Sequence, residues 1–415
     1  MRLRHLAPAL LLVAQTSFAQ SGGSAYSLFG VGDLRYYPSA RSIGMGSTGI
    51  GLQSPSTINA SMPAAWARIA QTRLEAGLFY EGFNSTDGNT TRYLGEVAFA
   101  GGMLAIPISK DRGITLVGGF VPAASSDYDI TTRQPYSSAS DTTSFLVRQV
   151  EDGRISQAQV GLSWAPLRNV TLGASFVYRF GKYTKTLEQE ATSTSYAGGT
   201  ITQETSLRSS ALTVGAQMES LGMIGDALAP FSFGAVFTTG GPLLYSVDRI
   251  YNYTAEADTL PTFESSFKVP VSIGGGIGYQ MSPRWLAALD VVYQPWSSVI
   301  IEGRPVSTLK DATRIGLGFE HVGSREINAS WLDKCAYRFG ASFVSTYLDI
   351  NGTSIDEWFI TAGATVPLSG ENRIATAIEA GQRGTTANGL IKDTIIRFHV
   401  ALLISELWFT RPEDE

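Results

Sequence analysis

Gly44, Gly46 and Gly49 fall on the G-x-G-x-x-G spacing that lets a backbone loop approach a pyrophosphate. That chemistry needs a strand before the glycines and a helix after them. Ser39 to Ser42 does not read as a buried strand, and Gln53-Ser54-Pro55-Ser56 stops a helix, so the nucleotide reading lacks its frame. The histidines are His5, His321 and His399, and Cys335 is the single cysteine. This rules out an intrachain disulfide and falls short of the four His/Cys ligands of a usual structural zinc site. A hydrolase needs a nucleophile beside a base, and no Ser/Asp arrangement is evident around His399. The sequence therefore assigns no catalytic residue, no cofactor and no metal. What remains is a set of charges at alternating positions: Arg179, Asp290, Arg314, Glu320, Arg338, Glu379 and Arg397. In an enclosed polar interior such groups either pair across a lumen or line a solvated one.

The elements that carry these charges have period two. In Val170 to Gly181, Leu172, Phe176, Tyr178 and Phe180 share one face, while Thr171, Gly173, Ser175 and Arg179 share the other. The same reading repeats at Ala158–Trp164, Trp285–Tyr293, Ile315–Phe319 and Ile396–Ile404. Fourteen strands are expected, centred near residues 77, 99, 118, 160, 175, 213, 235, 274, 290, 316, 341, 362, 377 and 400. Short connections (Ser109 to Gly113, Pro166 to Asn169, Met281 to Arg284, Ser369 to Asn372) largely alternate with long polar ones (Ala123 to Arg154, Lys182 to Ser206, Gly240 to Lys268, Gln294 to Asp311). Glu219 to Pro230 and His321 to Lys334 are longer than a turn and have room for a small helix. Trp164, Trp285, Trp408, Tyr279 and Tyr337 cluster at one set of strand ends, as an aromatic girdle does at a membrane interface. Charged residues are 16% of the chain and mean hydropathy is +0.05, as expected when an apolar wall and a polar wall are averaged. The expected fold is all-β, a 14-stranded antiparallel transmembrane β-barrel.

Residues 1–19 read as a cleaved signal peptide: Arg2 and Arg4, a short apolar run, then Ser17-Phe18-Ala19. Together with the barrel pattern this predicts the bacterial outer membrane, with lipid around the wall. The net charge of −5 becomes more negative once Arg2 and Arg4 are removed, which argues against a nucleic-acid partner. The expected organisation is a signal at 1–19, a non-alternating segment at 20–70, the barrel at 71–409 and a short periplasmic tail at 410–415.

The segment at 20–70 holds an Arg41-x-x-Gly44-Met45-Gly46 block and a Pro63-Ala64 block. Ahead of a fourteen-strand pattern, these resemble the FadL/TodX family of outer-membrane transport proteins. The resemblance implies a monomer whose N-terminal segment forms a luminal hatch, with Arg41, Gly44, Met45, Gly46, Pro63 and Ala64 in the gating role. It implies passive uptake of hydrophobic small molecules such as fatty acids, and a kinked third strand that opens the wall sideways, near Gly118, Gly119 and Pro122. The family's Asn-Pro-Ala is Met62-Pro63-Ala64 here, without the hydrogen-bonding Asn. The aromatic end Leu407-Trp408-Phe409 resembles the signal read by barrel-assembly machinery during biogenesis. The alternative is a barrel scaffold or secretion component of the PorV type, serving protein partners.

Overall fold

The computed structural model describes residues 23–137, 142–191, 198–253, 257–326 and 328–406. The expected signal peptide at 1–19, Trp408 and the expected tail at 410–415 lie outside them.

The strands are β1 (Thr72–Thr86), β2 (Thr91–Ser109), β3 (Ile114–Ser137), β4 (Thr142–Leu167), β5 (Val170–Ala191) and β6 (Gly199–Met218). They continue with β7 (Phe231–Thr238, resumed at Gly241–Tyr253) and β8 (Ala257–Thr259, Phe263–Val269 and Ser272–Ser282). The set is completed by β9 (Trp285–Gln294), β10 (Ala312–His321), β11 (Ala336–Ile350), β12 (Thr353–Pro367), β13 (Arg373–Gly384) and β14 (Lys392–Glu406). Among these fourteen strands the pairings are antiparallel between neighbours in sequence, and β14 returns to β1 from Thr72↔Glu406 to Thr86↔Lys392. Closure removes the unpaired terminal edges that an open sheet would leave. Each of the fourteen expected centres falls within one of these strands.

The alternation has the predicted sense. Val160, Leu162, Phe176, Phe180, Leu289, Ile315, Leu317, Ile396 and Phe398 are exposed on the outer face, while Gln159, Ser175, Asp290, Glu320 and His399 are buried inside. An apolar outer band around a polar interior is the mark of a barrel solvated by lipid. At the end with short turns, Tyr279 stacks on Phe231 with centroids 4.7 Å apart, and Trp285 meets His321 edge-on at 4.9 Å. With Tyr337 and Trp164, they form the girdle.

Three expected long loops are mostly strand among their described residues. Those of Ala123 to Arg154, Lys182 to Ser206 and Gly240 to Lys268 form the outer halves of the β3–β4, β5–β6 and β7–β8 hairpins. Their polar sequences pair as a ladder because both faces of those halves stand clear of the apolar band, where polar side chains suit a strand as well as a loop. Gln294 to Asp311 is a loop, with a 3₁₀ turn and a small hairpin. Glu219 to Pro230 and His321 to Lys334 hold short helices at Leu221–Met223, Asp226–Leu228 and Trp331–Lys334.

Candidate functional site

The residues ahead of β1 lie inside the barrel and touch most of its strands. Ser39 caps a single helical turn, Ala40–Ile43, its Oγ accepting from Ser42 N–H at 3.2 Å. The chain then crosses the wall from β12 to β7 with backbone against backbone. Gly44 packs on Gly363, Gly46 on the Leu317 and Ala341 carbonyls, and Gly51 on Gly276. A Cβ added at Gly46 would lie 2.5 Å from Leu317 O, and one added at Gly340 would lie 2.5 Å from Gly46 N. Gly46 also has φ +65°, a backbone region glycine enters without strain. Met45 is fully buried with Leu52, Leu286 and Ala288. Pro63 opens the 3₁₀ helix Pro63–Arg68, which rests on Gly173, and Ala64 is buried with Ile50 and Met62.

Met62, where the resemblance leads one to expect Asn, makes no side-chain cap hydrogen bond, and Asn59 three residues earlier holds the turn. Asn59 Nδ2 donates to Gly49 O at 3.1 Å, Asn59 Oδ1 accepts from Ser61 N–H at 3.0 Å, and Trp66 Nε1 donates to Asn59 O at 2.7 Å. Met62 supplies packing in place of polarity.

Three of the predicted inward charges, Asp290, Arg314 and Glu320, bond this layer, and Arg338 joins it through Glu320. Asp290 Oδ2 accepts from Gly49 N–H at 2.7 Å and Ile50 N–H at 2.8 Å. Arg314 donates to Ser47 O at 2.8 Å, with its guanidinium 3.5 Å above the Tyr36 ring. Glu320 accepts from Arg41 Nε at 3.0 Å and from Arg338 Nε at 2.6 Å, and Arg338 also reaches Thr365 at 2.7 Å. Burial opposes the Arg41 charge, but the Glu320 carboxylate outweighs it and holds the guanidinium above its ordinary range. Higher in the lumen, Arg397 Nε pairs with Glu81 at 2.6 Å and Glu379 faces His399 Nε2 at 3.2 Å. Arg179 donates to Gln157 at 3.1 Å.

Residues 23–35 run down the free edge of β3, from the level of Asp127 to that of Ala123. Asp33 and Leu34 pair with Ser125 and Ala124, Arg35 N–H donates to Ala123 O at 2.9 Å, and Gly23 N–H to Asp127 O at 2.9 Å. β3 has this edge free because it has left β2. Its last rung to β2 is Gly102↔Phe120, although both strands run well beyond it. Residues 124–128 are all buried, so both faces of β3 are covered there. Of the residues named for a kink, Pro122 stands at a register break against β4, and Gly119 packs directly on Met103. Gly118 has ordinary room and contributes nothing comparable. Opposite, Gly101 at φ +125° forms a bulge in β2.

The result is a cavity of about 380 Å³ above the glycine layer, lined by Val31, Leu34, Tyr37, Leu207, Leu243 and Phe359 together with Arg35, Arg179, Arg314 and Arg397. A second space of about 150 Å³ lies in the wall between β2 and β3. The two share Arg35, Phe79, Pro122, Ala124 and Ile155, so the lumen adjoins the gap.

Glu96, Arg35, Glu81 and Arg383, which pairs with Asp33 at 2.7 Å, were not among the residues named from sequence. Glu96 is inward only because the Gly101 bulge reverses the parity set by Met103 and Ala105. Arg35 lies outside the strands, in a segment with no periodicity. Glu81 follows the inward parity of Phe79 and Phe83 and was legible by counting.

The BamG family profile matches residues 1–413. No curated protein matches the chain in sequence. Among solved structures, the Pseudomonas putida toluene transporter TodX superposes with a TM-score of 0.57 at 16% identity, covering 91% of this chain and 99% of that one. A Pseudomonas aeruginosa FadL homologue gives 0.59 at 12% identity over 89% and 98%. The Ralstonia pickettii toluene transporter TbuX gives 0.57 at 13% over 88% and 97%. At these identities the likeness is one of fold.

Proposed function

The chain belongs to the BamG family, and we propose that its barrel is an outer-membrane channel for passive uptake of hydrophobic small molecules, fatty-acid-like or aromatic. The observation that carries this reading is the cavity with an apolar lining that adjoins a break in the lipid-facing wall. A hydrophobic solute in the lumen has two exits. The glycine layer blocks the one toward the turn end, while the gap between β2 and β3 leads to hydrocarbon, which such a solute prefers. Residues 20–70 act as the hatch in this reading, with Arg41, Gly44, Met45, Gly46, Pro63 and Ala64 fixing it to the wall. The named activities of the toluene transporters TodX and TbuX are in keeping with it.

The test is purified barrel in detergent-free vesicles, offered a fluorescent fatty acid and toluene in turn. Saturable binding of either, with transfer into the vesicle membrane, is expected. A barrel that binds and passes neither overturns the proposal.

A second reading, a barrel that serves protein partners in barrel assembly, is supported by the BamG match and by exposed apolar residues on the turn-end helices, among them Met223, Ile224, Trp331 and Leu332. Co-purification of a stoichiometric protein partner, lost on Trp331→Ser and Leu332→Ser, is the outcome it requires.

A further inference from the structure

Arg154 and Glu96 come from opposite faces of the wall. On β4, Arg154 shares the outward parity of Val160 and Leu162, and its side chain is 43% exposed. On β2, Glu96 shares the inward parity of Ala98 and Ala100, and its side chain is 8% exposed. A continuous sheet keeps two such residues apart, because successive side chains point to opposite faces and β3 runs between their strands. They meet here because β3 has turned inward above Phe120, and the Arg154 guanidinium reaches through the opening to the Glu96 carboxylate.

We propose that Arg154 and Glu96 form an ionic latch across the side opening, and that cargo crosses the wall only when the pair parts. This rests on the reading above that cargo leaves sideways. Phe99, Phe120, Pro122 and Ser156 border the opening, so the ion pair is the polar bar across an otherwise largely apolar window.

Parting leaves neither charge stranded. Glu96 already faces a second cation, Arg35 of the luminal segment, at 3.7 Å. Arg154 has no second anion: its cross-ladder neighbour is Lys182, whose charge Glu204 offsets, and its side chain stands at the level where the outer apolar band gives way to charge. A long guanidinium stem at that height turns its head to water at little cost. The buried member, Glu96, keeps a cation in both arrangements and the half-exposed Arg154 exchanges its anion for water, which a switch between closed and open requires, since removing one partner of a buried charge without a substitute is strongly destabilising.

The experiment reads the window without cargo. Ile155, directly behind it, is changed to Cys in a Cys335→Ser background, and the barrel in vesicles is labelled with an acyl-maleimide dissolved in the bilayer. Heat-modifiable migration on gels checks folding. Glu96→Gln and Arg154→Gln are each expected to speed labelling roughly fivefold or more, the scale of a modest coupling energy. The double variant is expected to be no faster than the quicker single one, because both remove the same interaction. Arg154→Lys is expected to fall between parent and Arg154→Gln. If Glu96→Gln does not fold, Arg154→Gln and Arg154→Lys decide alone. Unchanged labelling in the single variants, or rates that multiply in the double, overturn the latch. Altered labelling in a barrel that moves no hydrophobic solute would overturn the transport reading and leave the latch standing.

Discussion

Arg41 Nε donates to Glu320 Oε1 at 3.0 Å, joining a residue ahead of the first barrel strand to one near the end of the tenth. Arg338 approaches the same carboxylate at 2.6 Å, so a single anion balances two buried guanidiniums, one from the luminal segment and one from the wall. Arg35 with Glu81, Asp33 with Arg383 and Arg68 with Glu219 add further charge ties between the segment and the barrel, alongside the backbone packing of the glycines.

Glu320→Gln is expected to strand both guanidiniums. Breaking a buried pair from one side costs about 3–5 kcal/mol. The temperature at which the folded band disappears on gels should fall clearly, and more than for Arg41→Met, which leaves the Arg338–Glu320 pair intact. Equal falls would mean that Arg338 does not depend on Glu320.

Gly46→Ala adds a methyl group where two carbonyl oxygens already sit, at a backbone angle that disfavours it. The luminal segment should shift and leave a water path. Planar-bilayer recordings are expected to show an ion conductance absent from the parent barrel. Silent recordings from folded Gly46→Ala would show that the layer tolerates the change.

Asp290→Leu leaves the Gly49 and Ile50 N–H groups without their acceptor, at about 1–3 kcal/mol for each buried group left unpaired. Asp290→Asn keeps an acceptor oxygen and should cost less. Chemical denaturation of the two variants side by side checks the order, and the reverse order would mean that the Asp290 charge itself is the burden.

Ala124→Phe places a ring where the luminal cavity and the wall gap meet. Overfilling costs about 1–3 kcal/mol, which a closed barrel tolerates. Transfer of a hydrophobic probe into the vesicle membrane should drop with the fold intact. Undiminished transfer would direct the route elsewhere.

All fourteen strands and the sense of their faces were legible in sequence because lipid outside and a packed interior impose period two with little room for exception. The heights of β3 to β8 were not. Above the apolar band nothing separates a polar strand from a polar loop, and the pairing of Thr142 to Gly153 with Ser126 to Ser137 is decided across the ladder, not along it. The inward charges could be named from their parity, and Arg41 and the glycines from the resemblance their block carries. The partner of each could not, since Asp290 binds residues about 240 positions away in the chain. Glu96 was hidden for a local reason: one bulge at Gly101 inverts the count on which the reading depends.

The glycine layer has a consequence for how this sequence is free to vary. A contact between side chains can drift, because a larger residue on one side is offset by a smaller one on the other. Gly46 against Gly316 and Gly340, and Gly44 against Gly363, offer no such exchange, for neither member has a smaller residue to become. Each position is therefore fixed on its own account. In a library of variants, substitutions there should fail singly, and no second-site change at the facing glycine should rescue them, whereas losses at Met45 or Leu52 should find suppressors among the side chains they touch.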